Sequence, residues 1–130
     1  MDFKRFYCEW LFQVTNIYKK DNRKFKVGIN NEILITDIGS IELNSNELIT
    51  LISKEGMEHE LCKKDFGYYL TQSINKRVIN KGYKVAITKN KDNLFFIMLV
   101  EISKIKLFEK YLTDEKNTLV CWLPNKSMTD

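Results

Sequence analysis

The sequence predicts a single α+β domain spanning residues 1–130, with a mainly antiparallel sheet of about five strands packed by an N-terminal amphipathic helix and a second long helix. Three observations predict it. Residues 3 to 18 place Phe3, Phe6, Tyr7, Trp10, Leu11, Val14, Ile17 and Tyr18 on one face of a 3.6-residue helix. Two pairs of short apolar runs flank polar turns, as hairpins do. Finally, 130 residues with 44% hydrophobic and 29% charged side chains are enough for one core without disulfide or metal support.

Taken in order, Asp2 stands at the N-cap of the first helix, whose outer face carries Lys4, Glu9, Gln13, Asn16 and Lys20. Phe25, Val27 and Ile29 then alternate with Lys24, Lys26 and Gly28, and Ile33 and Ile35 resume beyond Asn30 and Asn31. That pattern is a hairpin, since asparagine tolerates the positive φ of a tight turn. Ile38, Gly39 and Ser40 break the second strand, and Ile41 and Leu43 continue past the bend. Ser45 reads as the N-cap of a short helix through Leu48, Ile49, Leu51 and Ile52, closed by Gly56. The polar stretch Glu58 to Lys64 reads as an exposed link.

From Asp65 to Lys81, Phe66, Tyr69, Leu70, Ser73, Ile74, Arg77 and Val78 recur at helical spacing, and Gly82 supplies a left-handed terminator. Val85 to Ile87 and the run from Leu94 to Ile102 flank a Lys89-to-Asn93 turn, a second hairpin whose later strand is expected to be buried on both faces. A helix near Lys104 to Leu112 and a strand from Thr118 to Leu123 complete the chain.

Composition limits the chemistry. Cys8, Cys62 and Cys121 are scattered and odd in number, unlike a disulfide framework, and read as reduced thiols of a cytoplasmic protein. Charges interrupt every apolar stretch well short of the roughly 20 residues a membrane span needs, so neither a leader nor a membrane partner is expected. Lys, Asn and Ile are abundant, whereas Ala86 and Pro124 are the sole alanine and proline. That usage points to an AT-rich genome, as in low-GC bacteria and their phages and plasmids.

One histidine, His59, leaves no paired-imidazole site. His59 with Cys62 would face the same way on a helix, the spacing a thiol nucleophile and its base need, but an orienting group and an oxyanion donor are missing from the pattern. Zinc would have to gather Cys8, His59, Cys62 and Cys121 from three segments, so no metal and no cofactor are expected. The glycines are isolated and form no phosphate loop. Asp92, Glu101 and Lys104 resemble a metal-nuclease set only superficially, because Glu-x-x-Lys on a strand sends the two side chains to opposite faces.

Charge is segregated along the chain: residues 1–29 carry +4, 30–62 carry −6, 63–91 carry +7 and 92–130 carry −1. The basic block supplies the candidate partner-binding face, Lys63, Lys64, Lys76, Arg77, Lys81, Lys84, Lys89 and Lys91. Bipolar charge suits complementarity with a protein better than with an all-phosphate partner. The expected function is therefore a non-enzymatic binding protein that covers a surface of a protein partner. Such a protein fits a phage or mobile-element accessory, such as an inhibitor of a host defence nuclease, or a bacterial immunity protein. The alternative is a winged-helix-like nucleic-acid-binding regulator, in which the basic helix enters the major groove and the Lys-tipped hairpin touches phosphates.

Overall fold

Residues 16–18 and 23–129 are described by the structure, a computed structural model; of the helix expected over residues 3–18, residues 3–15 lie outside the described residues. The fold is α+β, with mainly antiparallel small sheets and few helices. Its contacts divide the chain into two compact units, one formed by residues 1–48 and 63–67 and the other by 49–62 and 68–130.

In the first unit, β1 (Asn16–Tyr18) pairs antiparallel with β4 (Ser40–Glu42), aligning Ile17 with Ile41. Ile17 and Tyr18 therefore lie on a strand and not on the first helix. Their β-branched and aromatic side chains suit a pleated surface as well as a helical stripe. Strands β2 (Arg23–Val27) and β3 (Ile33–Asp37) form the expected first hairpin, with Phe25 opposite Ile35 and Val27 opposite Ile33. Its loop is longer than an Asn-Asn turn, running from Gly28 to Glu32 with left-handed residues at Gly28 and Asn31 and Asn31 N–H bonded to Gly28 O at 3.0 Å. Gly39 N–H bonds the Asp37 carboxylate at 3.1 Å, which ends β3 and turns the chain into β4.

The segment expected to be a helix after Ser45 is strand β5 (Leu48–Ile52), and the expected link is strand β6 (Glu58–Lys64). A short apolar run satisfies both periods, and Gly56, at φ +84, is the left-handed residue of a three-residue hairpin loop rather than a helix terminator. The loop closes through Ser53 N–H to Met57 O at 2.9 Å and Gly56 N–H to Ser53 O at 2.9 Å. β6 is the middle strand of a sheet ordered β5, β6, β7, with β7 at Gly67–Leu70.

The expected long helix over 65–81 is thus largely absent. Its first part is β7, rich in the tyrosines that strands favour, and only α1 (Arg77–Asn80) is helical. Ser73 sits before α1, with its hydroxyl bonded to Arg77 N–H at 3.0 Å. Strands β10 (Thr118–Leu123), β8 (Tyr83–Lys89) and β9 (Phe95–Glu101) form an antiparallel sheet in that order. The second hairpin therefore forms as expected, its tip held by Asn90, whose side-chain oxygen accepts from Asp92 N–H at 2.9 Å and Leu94 N–H at 3.0 Å. A 3-10 turn at Ile102–Lys104 leads into α2 (Ile105–Asp114), and α3 (Lys126–Thr129) follows β10. Instead of one sheet of about five strands, the described residues form ten strands in four small sheets.

The core lies in the second unit: Val78, Tyr83 and Val85 are buried, with Met57, Ile74, Leu99 and Leu123 packed against them. Gly82 keeps the left-handed end of α1 and leaves room there, because a Cβ would stand 2.9 Å from Met57 Cε. β8 is covered on both faces, but β9 is not. Phe95, Phe96 and Ile97 are exposed, contrary to the burial expected from their apolar run, because covering neighbours reach only the half of β9 nearer Val100. No described helix is long and apolar enough to cross a membrane.

Candidate functional site

β6 decides the fate of the His59-Cys62 pair. On a strand, residues three apart point to opposite faces, so the two side chains diverge, and both are buried instead of lying on an exposed link. His59 Nδ1 lies 2.8 Å from Gln72 Oε1, an atom that can only accept, so Nδ1 carries the proton. The ring also meets Tyr83 edge to face, with centroids 6.3 Å apart. His59 Nε2 and Gln72 Nε2 are buried without a hydrogen-bond partner. The pair is a polar insert of the core.

Glu101 and Lys104 do meet. Glu101 ends β9 and residues 102–104 wind as a 3-10 turn, in which positions three apart eclipse, bringing Lys104 Nζ to 3.1 Å from Glu101. Glu55, in the loop between β5 and β6, adds a second carboxylate at 3.5 Å from the same ammonium. Bonding to its own backbone N–H, then the charge of Lys104, holds Glu55 below the usual carboxylate range. Hydrogen bonding and attraction to Glu101 push Lys104 up. The ammonium occupies the position where two carboxylates would otherwise hold a cation. Asp92 lies in the turn at the far end of β9, whose length from Phe95 to Glu101 is roughly 20 Å, so it is remote from Glu101. Among the described residues no three His, Cys, Asp or Glu side chains gather as a metal site; Cys8 lies outside them.

The eight predicted basic residues are divided between the two units. Lys63 and Lys64 belong to the first unit, where the Lys63 ammonium bonds Lys64 O and Lys64 bonds the Asn46 side chain at 2.6 Å. In the second unit, Lys76, Arg77 and Lys81 cluster around α1, and Arg77 reaches Glu60 at 3.9 Å. Lys84 and Lys89 sit five positions apart on β8 and so face opposite ways. Lys84 Nζ lies 4.6 Å from the centroid of the Trp122 ring, while Lys89 and Lys91 flank the β8–β9 tip. Four residues of α1 are too few to present a recognition helix of the winged-helix kind.

Sequence reasoning did not anticipate the groove between α2 and the β8–β10 face. Its volume is about 390 Å³, and Phe108 and Trp122 meet in it at 5.7 Å, beside Lys84, Leu112 and Leu119. The helical spacing of Ile105, Phe108 and Leu112 is the signal that marked this face of α2 as inward. Comparison with protein-family models, with curated proteins and with solved structures finds no match.

Proposed function

We propose that the chain is a non-enzymatic binding protein that covers a surface of a protein partner. The observation that supports this reading most is the β2–β3 ribbon, where Phe25, Val27, Ile33 and Ile35 share one face and Phe25, Ile33 and Ile35 are exposed. Arg23 frames that face: it pairs with Asp37 at 3.4 Å and lies 4.8 Å over the Phe25 ring, and Lys24 and Lys26 project from the opposite side. An apolar patch with a charged rim is the composition of protein interfaces. A two-stranded ribbon gains little stability alone, so a partner that covers its apolar face also stabilises it. AT-rich residue usage and segregated charge fit a phage or mobile-element accessory, such as an inhibitor of a host defence nuclease, or a bacterial immunity protein.

The test is to co-purify the tagged chain from its host, identify the bound protein, and titrate the two purified proteins. Phe25→Glu with Ile35→Glu should weaken the complex at least tenfold while far-ultraviolet circular dichroism stays native. Lys76→Glu, Arg77→Glu and Lys81→Glu together should slow association and alter its salt dependence. Tight, sequence-selective binding of duplex DNA that survives about 150 mM salt would defeat the reading.

A further inference from the structure

The groove under α2 owes its lining to a register break in β10. Leu119 stands opposite Thr88 and Trp122 opposite Ala86, so the shift between Leu119 and Cys121 brings two side chains three positions apart onto one face of the sheet. In an unbroken strand they would point to opposite faces. The same face carries Lys84, two residues from Ala86 on β8. Its diagonal to Trp122 is short enough for the ammonium to lie 4.6 Å from the centroid of the indole ring.

Ala86, the sole alanine of the chain, is wholly buried in the middle of this face, next to Lys84, opposite Trp122 and diagonal to Leu119. A longer side chain there would rise into the space that these three residues line. With alanine the groove keeps a volume of about 390 Å³, at the small end of the roughly 300–1,000 Å³ of ligand pockets. Its charges are unspent. Lys84 is half-buried and rests on the Trp122 ring, and no carboxylate among the described residues pairs with it. An ammonium gains more from a carboxylate than from a ring face. Glu109 also lines the groove, and no lysine or arginine among the described residues pairs with its side chain.

We infer that this groove binds a small aromatic monocarboxylate, its ring packed against the Phe108–Trp122 pair and its carboxylate held by the Lys84 ammonium. The two aromatic rings, with Leu112 and Leu119, supply the apolar surface that takes up the ligand ring. Lys84 supplies the one positive charge, and Glu109 repels a second negative charge, so the site favours a monoanion over a phosphate ester. The groove belongs wholly to the second unit and the β2–β3 ribbon to the first, and the two proposals stand or fall separately.

The full chain should bind 2-naphthoate, titrated at about pH 8, with a dissociation constant below about 1 mM, the strength a ligand of this size reaches. The uncharged 2-naphthamide should bind about tenfold more weakly, the worth of one charge-assisted hydrogen bond. Dianionic 2-naphthyl phosphate should also bind more weakly than 2-naphthoate. Lys84→Met keeps an apolar stem over Trp122, so it should bring 2-naphthoate down to the affinity of 2-naphthamide and leave 2-naphthamide unchanged. Magnetisation transfer from bound 2-naphthoate to the methyl groups of Leu112 and Leu119 places the ligand in the wild-type chain, which keeps the test open should Lys84→Met fail to fold. No saturable binding up to about 5 mM overturns the proposal, as does transfer to other methyl groups in place of these. Tighter binding of the phosphate, or an affinity for 2-naphthoate that a folded Lys84→Met variant retains, overturns it equally.

Discussion

His59 Nδ1 donates to Gln72 Oε1 at 2.8 Å across the core of the second unit, tying β6 to the segment between β7 and α1. Both side chains are almost wholly buried, and the imidazole packs edge to face on Tyr83. Interior polar groups are costly when unpaired, and this bond offsets that cost for one nitrogen and one oxygen.

Replacing His59 by Ala should therefore destabilise the protein by about 2–3 kcal/mol, combining a void beside Tyr83 with an orphaned Gln72 carbonyl. Gln72→Ala should cost a similar amount. The double variant should cost less than the two together, because each change already breaks the shared bond. Urea unfolding of the three variants checks this, and a loss below about 0.5 kcal/mol for His59→Ala would refute it.

The α2 C-terminus carries a side chain where glycine usually stands. Asn117 N–H bonds Leu112 O at 2.8 Å and Lys116 N–H bonds Thr113 O at 3.2 Å, the two bonds of a Schellman cap, with Lys116 at φ +54. A Cβ is strained in that conformation, whereas glycine adopts it freely. Lys116→Gly should stabilise the chain by about 0.5–1 kcal/mol after the added freedom of the unfolded state is counted, read as a higher thermal midpoint. A lower midpoint would show that the lysine side chain has a compensating contact.

The elements that sequence pattern revealed are those whose period and turn chemistry agree. Alternation around Asn-rich turns located β2–β3 and β8–β9, and an unbroken helical stripe from Ile105 to Leu112 located α2. Where a run was short the periods coincided: Leu48, Ile49, Leu51 and Ile52 fit one helical turn as well as five residues of β5, and Gly56 fits both a helix end and a hairpin loop. Misreading β6 had the largest effect on the site. Read as an exposed link, it left His59 and Cys62 able to share a side only at helical spacing; as a strand it sends them apart and aligns His59 with Gln72, a partner no local pattern signals. Glu101 and Lys104 show the converse, since the strand argument separates them and the 3-10 turn after Glu101 reunites them. Within the basic block, Lys84 and Lys89 are sent to opposite sides because positions five apart on β8 alternate, which the charge count along the sequence does not register.

Alkaline pH tests the environment of Tyr83. Burial first, then the negative charges of Glu101 and Glu55, raise its phenol above the ordinary value of 10.0, with Lys104 opposing. As pH rises past 10.0 the unfolded chain releases this proton before the folded chain does, so the unfolded state binds fewer protons and stability falls. Lys104, raised above 10.5 mainly by its hydrogen bond to Glu101, adds a slope of the same sign. Below 10.0 both contributions are fully present and level. Wild-type urea midpoints should hold between about pH 7 and 9 as far as these groups are concerned and drop toward about pH 11, and Tyr83→Phe should drop less steeply because its ring has no proton to lose. Equal alkaline slopes in the two proteins would place Tyr83 in water and undo the assignment of its ring to the core.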